Sequence, residues 1–390
     1  MLTVNGWLSI SRYVLRPKTE SDAKCLQEQE GLNAVVPMDD YLHLTGLPFK
    51  MTPEVMLNTA CWAQGQSSYQ EAETAIARAY KYRISDDTIR EVTNFVGNIV
   101  FQEDCKRAEE AYGKLNQGSL RFPLKKKKGI LYIEVDGASL NTRSKDENGS
   151  SWRENKLGIV FSSDNIYTWT DRKGEKQHKI QKREYVTYVG SVNEFKKHLF
   201  ACALKNGYGE YEKTVLISDG ATWIRNMREE LFPDAQHILD YYHLCENVNT
   251  FAKSLFGQEP VQYAAWADAT CALIKSSCHK DVLDDLAKRN KPPLCPVDLY
   301  GYIQNNSEHI DYVRYKDEGL FIGSGAIESG NKSVLQQRLK QAGMRWNPQT
   351  AQYLLTLRAK YKSALWMLEV EAPLLNHLRK ITASHLTSQT

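Results

Sequence analysis

The chain has 390 residues, one large domain or two to three ordinary ones, and its 42% hydrophobic and 25% charged residues are ordinary for a globular protein. Lys plus Arg number 50 and Asp plus Glu 47, so the net charge of +3 argues against a histone-like or tail-driven polyanion binder while leaving a locally basic face open. No apolar run of about 18 residues occurs, so no membrane span is expected, and Met1–Pro17 alternates apolar with polar residues rather than forming a signal peptide.

The first 17 residues read as short strands with Asn5-Gly6 as a hairpin turn. Residues 18–50 read as mixed and loop-rich. From Thr52 the periodicity is helical. Thr52-Pro53 is a cap followed by proline at the first helical position, and the helix stops at Gly65. Ser68 with Glu71 three residues on is a capping box for a second helix, and Ser85 caps a third with Ile89, Val92 and Val96 inward. Two short capped helices joined by a tight turn read as a helix-turn-helix, although helical hairpins without a DNA role are common. A fourth, charged helix is expected over about 98–116, leading to the run Lys125–Lys128.

At Gly129 the period changes to that of a strand. GILYIEVDGA is a buried strand ending in a carboxylate and a glycine, with KLGIVFSS (156–163) and EYVTYVG (184–190) as partners. A helix ended by Gly207 follows, then the strand TVLISDGA (214–221), a short helix and the strand-like run 235–244. Residues 245–320 read as helical. A glycine-hinged helix opens near Gly325, and a final helix runs from about Pro348 to Val370. Strands meeting helices in this order predict an α/β layer with a mixed sheet.

Two strands end alike, in Val135-Asp136-Gly137-Ala138 and Ser218-Asp219-Gly220-Ala221. The C-terminal edge of an open α/β sheet presents side chains to a crevice, and the glycine lets a ligand approach. Taken singly, each is an ordinary turn. Paired carboxylates of hard oxygen character are what Mg²⁺ prefers. Glu328 is the third candidate, heading a helical face with Asn331, Lys332, Leu335 and Leu339. Its alternative reading is a first-turn glutamate favoured by the helix dipole. Glu134 shares the strand face of Asp136 and competes for the same position.

The set DG … DGA-x-W-I … D-x-x-H … GSGAIES-x-NK … RLKQ-x-GMRW resembles bacterial insertion-sequence transposases of the Mutator-like DDE type, over roughly Lys125 to Tyr361, and the helical part at about 36–97 is similar to that group as well. The resemblance implies an RNase H-like core: a mixed five-stranded α/β sheet whose first and fourth strands are neighbours, with a helical insertion and a small helix-turn-helix-like domain before it. On that reading the chain divides into short strands and loop at 1–50, a DNA-binding helical domain at 51–118, the first part of the core at 125–243, the insertion at 244–320, the catalytic-glutamate and closing helices at 321–370, and a tail at 371–390. It implies Asp136, Asp219 and Glu328 as catalytic residues holding two Mg²⁺ or Mn²⁺ ions. Asp240 and His243, from the D-x-x-H motif, would support them. Trp152, Glu154 and Lys156 are similar to the family's second-strand pattern and read as packing and ion pairing.

The implied reaction is cleavage at transposon ends and strand transfer into target DNA. The implied partners are double-stranded DNA, as terminal inverted repeats and target, and further copies of the chain in a homo-oligomer, in the bacterial cytoplasm at the nucleoid. A catalytically inactive transposase-derived DNA-binding protein and an RNase H-like nuclease on RNA–DNA hybrids are the competing readings. Relatives often carry a cysteine-paired zinc ribbon near the N-terminus; here the eight cysteines form no C-x-x-C pair and only Cys25 lies in that region. Scattered single thiols fit a reducing cytosol. Ser329–Leu368 holds Lys332, Arg338, Lys340, Arg345, Arg358, Lys360 and Lys362 with no acid, which makes it +7 and the rest of the chain −4. Lys332, Arg338, Lys340, Arg345 and Trp346 are therefore expected to face DNA, with salt-dependent binding.

Overall fold

A computed structural model of the chain describes residues 1–9, 14–30, 48–80, 82–257, 260–289, 291–292 and 294–387. The expected strand and loop residues 10–13 and 31–47 lie outside the described residues. The chain forms two compact units. One comprises 1–106, 142–144 and 336–390, and the other 107–141 and 145–335. No helix among the described residues is long and apolar enough to cross a membrane.

In the first unit, strands β1 (Leu2–Thr3) and β2 (Gly6–Trp7) pair antiparallel around Val4-Asn5, one residue earlier than the expected turn, with Gly6 at φ 107. The expected loop region holds helix α1 (Glu20–Glu30). Helices α2 (Pro53–Gly65) and α3 (Tyr69–Tyr80) start where their caps predict. The Glu71 amide donates to Ser68 Oγ at 3.1 Å, and the Glu71 carboxylate accepts from the Ser67 amide rather than from Ser68. Helix α4 (Asp86–Asn116) absorbs both the third and the fourth expected helices, and its last ten residues belong to the second unit. Gly97 at their junction is no break: a Cβ there would sit 2.7 Å from Tyr353 Cβ, so glycine permits a close helix crossing.

Val55, Met56, Ala60, Ile76, Ile89, Val92 and Val96 share one core with Leu357, Val370 and Leu374. The expected closing helix divides. Helix α14 (Pro348–Lys362) ends as Ala364 turns left-handed at φ 57. A π-helical turn (Met367–Glu371) and helix α15 (Ala372–Thr387) follow, where a tail was expected.

The second unit is built on a mixed five-stranded sheet. Its strands are β3 (Lys127–Asn141), β4 (Trp152–Ser162), β7 (Glu184–Val189), β8 (Tyr211–Ser218) and β9 (Gln236–Leu239), in the order β7-β4-β3-β8-β9. β4 runs antiparallel to both β3 and β7, whereas β8 runs parallel to β3 and β9 parallel to β8. Leu131, Ile133 and Val135 face one side of the sheet, where they join Phe195 and Leu199 of α5 (Val192–Lys205) and Ile224 and Met227 of α6 (Thr222–Leu231). Alternation sends Tyr132, Glu134 and Asp136 to the opposite side.

The run 235–244 is strand only to Leu239; Asp240 then caps helix α7 (Tyr241–Phe256). Helices α8 (Pro260–Lys275), α9 (His279–Ala287), α10 (Leu299–Asn305) and α11 (Tyr312–Asp317) fill the stretch expected to be helical. Helix α12 (Gly325–Gly330) passes into a π-helical turn (Asn331–Gln336) and then α13 (Gln337–Leu339). Between β4 and β7 stands an antiparallel ribbon, β5 (Ile166–Thr170) with β6 (Lys176–Ile180), where no strand is expected.

Candidate functional site

Parallel pairing of β3 with β8 aligns Glu134 with Ile217. The same register carried two residues further sets Asp136 beside Asp219, just past the last paired residues. Asp136 Oδ1 accepts from the Gly137 amide at 2.7 Å, and its Oδ2 accepts from Asn331 Nδ2 at 2.5 Å. Asp219 Oδ1 accepts from the Ala221 amide at 2.9 Å, and the Asp219 carbonyl accepts from the Tyr302 hydroxyl at 2.6 Å. Gly220 is required by its φ of 81 and by space, since a Cβ would lie 2.7 Å from Leu239 Cδ1.

Burial holds the Asp136 carboxyl above the ordinary aspartate range, and the charge of Asp219 pushes the same way. Glu328 is likewise raised, by burial first and then by Asp240, with Asp136 contributing. His243 works against both shifts, and the Gly137 amide and Asn331 against that of Asp136, yet both carboxyls stay raised.

Glu328 reaches this edge on α12, and two buried acids hold that helix in place. Glu134 is 1% exposed, and its Oε2 accepts from the Ile327 amide at 2.8 Å. Burial pushes its carboxyl up to about 8. It lies beneath α12 and is engaged by the helix backbone. Asp240 is fully buried. Its Oδ1 accepts from the Tyr242 and His243 amides at 2.6 and 3.2 Å. Its Oδ2 accepts from the Ser324 amide at 2.9 Å and from the Ser324 hydroxyl. One carboxylate thus ties the start of α7 to the residue that precedes α12. Gly330 brings α12 onto the sheet, as a Cβ there would meet Tyr185 at 2.7 Å and Leu157 at 3.3 Å.

Immediately after α12 the helix widens into the π-helical turn, an arrangement frequent at functional sites. Its first residue, Asn331, is the one that donates to Asp136. Asn331 Oδ1 is buried without a hydrogen-bond partner among the described residues.

Among the described residues, the group whose ligand atoms all fall within 4.8 Å is Asp240, His243 and Glu328. The expected grouping was Asp136, Asp219 and Glu328, with His243 in a supporting place. Glu328 thus groups with Asp240 and His243; Asp136 and Asp219 lie outside that 4.8 Å group, and Asp136 acts on Glu328 only as a like charge that raises its carboxyl. In this group the Asp240 oxygens already accept four donors, about the capacity of a carboxylate. His243 and Glu328 are left as its outward groups. His243 Nδ1 lies 3.4 Å from the exposed Glu246.

Glu154 and Lys156 pair at 2.7 Å, and the Lys156 ammonium also donates to the Gly190 carbonyl. They thus have the ion-pairing place expected of them, and Trp152 lies exposed at the start of β4. Of the residues expected to face DNA, Lys332, Lys340 and Arg345 are exposed. Arg338 is 1% exposed; its guanidinium lies over the Tyr69 and Trp346 rings at 4.8 and 5.1 Å and donates to the Ala63 carbonyl. Trp346 is buried with it. As folded, Arg338 and Trp346 are interior packing groups. Arg358 and Lys360 are buried as well, the latter between Asp104 at 2.9 Å and Glu369 at 2.7 Å. Hence the +7 segment is not a continuous surface strip. All eight cysteines are unbridged.

The chain belongs to the uncharacterised protein family UPF0236, whose pattern matches residues 29–372. A search of curated proteins finds no match.

Proposed function

We propose that the protein is a DNA transposase that cleaves phosphodiester bonds at the ends of a mobile element and joins the freed ends to target DNA. The observation carrying this reading is the β3–β8 register, which sets two Asp-Gly strand ends side by side with Glu328 arriving from a helix. Counting β3, β4, β7, β8 and β9 as first to fifth, the first and fourth are neighbours, as an RNase H-like core of the DDE type has them. Helices α7–α11 stand where that resemblance implies an insertion. Helices α3 and α4, joined by a short capped link, support a helix-turn-helix reading of 68–97.

The donor chemistry fits divalent cations. Asp136, Asp219 and Glu328 are hard oxygen ligands, and two of them are raised by burial and mutual repulsion that a cation would relieve. Asp136, Asp219 and Glu328 would hold the ions, with His243 beside Glu328. Mg²⁺ or Mn²⁺ held there would lower the pKa of the attacking water or hydroxyl and offset charge on the leaving oxygen. In cleavage a water oxygen attacks phosphorus, the bond to the 3′-oxygen breaks, and that oxygen leaves as a hydroxyl. In joining, the 3′-hydroxyl oxygen attacks a target phosphorus, the target's own bond to its 3′-oxygen breaks, and that oxygen leaves as a hydroxyl. Asn331 fixes the rotamer of Asp136, Glu134 fixes the entry of α12, and Asp240 fixes the backbone of His243. Lys332, Lys340 and Arg345 are suited to phosphates, and a homo-oligomer would bring two ends together.

A cleavage assay on duplex DNA carrying the element's own ends, with Mg²⁺, tests the proposal. Asp136→Asn, Asp219→Asn and Glu328→Gln should each abolish cleavage and leave DNA binding largely intact. Wild-type-like cleavage by any of the three sinks the assignment. Digestion of an RNA–DNA hybrid in place of the duplex would mark a nuclease instead.

A further inference from the structure

The β5–β6 ribbon is chemically unlike the rest of the second unit. Its register pairs Tyr167 with Lys179 and Trp169 with Gln177, so these four residues share one face. The two rings stack on each other at 5.8 Å and 20° and stay open, 55% and 39% exposed. The opposite face is anchored. Thr168 Oγ1 bonds His178 Nδ1 at 2.9 Å, the His178 ring meets Phe321 at 5.3 Å, and Phe321 packs on Tyr132 of β3. Phe321 lies in the segment that leads into α12 and Glu328.

Residues 166–183 contain six Lys or Arg against two acids. Arg172, Lys173, Lys176, Lys179 and Lys182 are exposed, and none of them makes an ion pair among the described residues. One of the two acids, Asp171, is spent on the turn. Its carboxylate accepts from the Lys173 and Glu175 amides at 2.9 Å and from Gln177 at 3.0 Å.

Open stacked rings flanked by unpaired cations suit a ligand with both π faces and negative charge along one line. We infer that the ribbon's aromatic face binds single-stranded DNA, its bases stacking on Trp169 and Tyr167 and its phosphates lying along the basic residues. A duplex conceals its base faces except at its ends, so the rings favour the unpaired strand. The inference deepens the proposed function by naming where unpaired DNA is held, close in the chain fold to the approach of Glu328.

Fluorescence anisotropy of the full chain with a labelled 20-nucleotide strand, and with the matching duplex, tests it. Tyr167→Ala/Trp169→Ala should weaken single-strand binding by roughly tenfold or more and affect the duplex less. Arg172→Gln/Lys173→Gln/Lys179→Gln should flatten the dependence of log affinity on log salt by about 2. Circular dichroism confirms that the variants are folded. If folding fails, loss of Trp169 fluorescence quenching by the strand, measured as wild type minus Trp169→Phe, supplies the same readout. Unchanged single-strand affinity in the folded double variant overturns the inference. So does an equal loss on both DNAs, which marks a duplex-binding ribbon, and so does a change confined to oligomeric state, which marks an interface between copies. Because binding and cleavage are read separately, a wild type that cleaves while the ribbon variants bind normally refutes only the ribbon. A wild type that binds through the ribbon and never cleaves refutes only the transposase.

Discussion

Asp240→Asn separates two roles that the geometry of Asp240 brings together. The residue lies within 4.8 Å of His243 and Glu328 as a ligand set, yet both its oxygens are engaged by the chain. Asparagine is as good a helix cap as aspartate, so its carbonyl can keep the Tyr242 and His243 amides. Its amide nitrogen must then face the Ser324 amide, two donors opposed. The Ser324 hydroxyl can rotate to accept from the new amide, but the Ser324 N–H cannot. Ser324 is buried, and an orphaned buried donor costs about 1–3 kcal/mol. Losing a charge-assisted bond adds to that, so a destabilisation of about 2–4 kcal/mol is expected. Chemical denaturation in EDTA measures it without any contribution from metal. Cleavage should fall in parallel, because α7 and α12 lose their common tie. A variant as stable as wild type in EDTA, impaired only in metal affinity, would refute this reasoning and make Asp240 a ligand instead of a clamp.

Three further expectations follow from other parts of the molecule. Burial, with His309 and two arginines beside it, depresses the His237 imidazole to about 3, so the folded protein excludes a proton that the unfolded chain accepts near pH 6.5. The stability it contributes is complete above that ordinary value and is lost as pH falls toward 3. At pH 5 the loss is about 2 kcal/mol, which His237→Gln should remove; denaturation profiles of the two proteins running parallel from pH 7.5 to 5 would contradict this. Gly330→Val inserts atoms where a Cβ already meets Tyr185 at 2.7 Å, so about 1–3 kcal/mol of stability and most cleavage should be lost. Lys360→Met removes the ammonium that pairs with both Asp104 and Glu369, and thermal unfolding should report about 3–5 kcal/mol of destabilisation.

What could be read in the sequence was local. Thr52-Pro53, Ser68 and Ser85 predict helix starts because a cap acts within a turn, and the Asp-Gly endings stand out because strands alternate with period 2. The merging of two expected helices into α4 was not legible, since Gly97 looks like a break and is a crossing point made by Tyr353. The ribbon was missed because polar residues line both its faces and mask the alternation. The grouping of Asp240 and His243 with Glu328 depends on Ser324, more than 80 residues away, and no spacing rule encodes that. The positive charge of 329–368 was countable, but counting is blind to depth. Arg338 lies against Tyr69 and Trp346, and Lys360 between Asp104 and Glu369, so both are interior cations.

The ties from α12 back to the sheet set an order on synthesis. Glu134 and Asp240 belong to strands or strand ends made long before Ser324 and Ile327 exist. A nascent chain that has emerged only as far as α11 holds all five strands of the sheet and both aspartates, with Glu134 still lacking the Ile327 amide and Asp240 Oδ2 still lacking Ser324. Glu328 enters with those amides, on the short helix that Ser324 precedes and Ile327 belongs to. The proposed carboxylate set is therefore completed only when about five-sixths of the 390 residues are made, and on that proposal a ribosome-bound fragment stopping short of that helix should be inert.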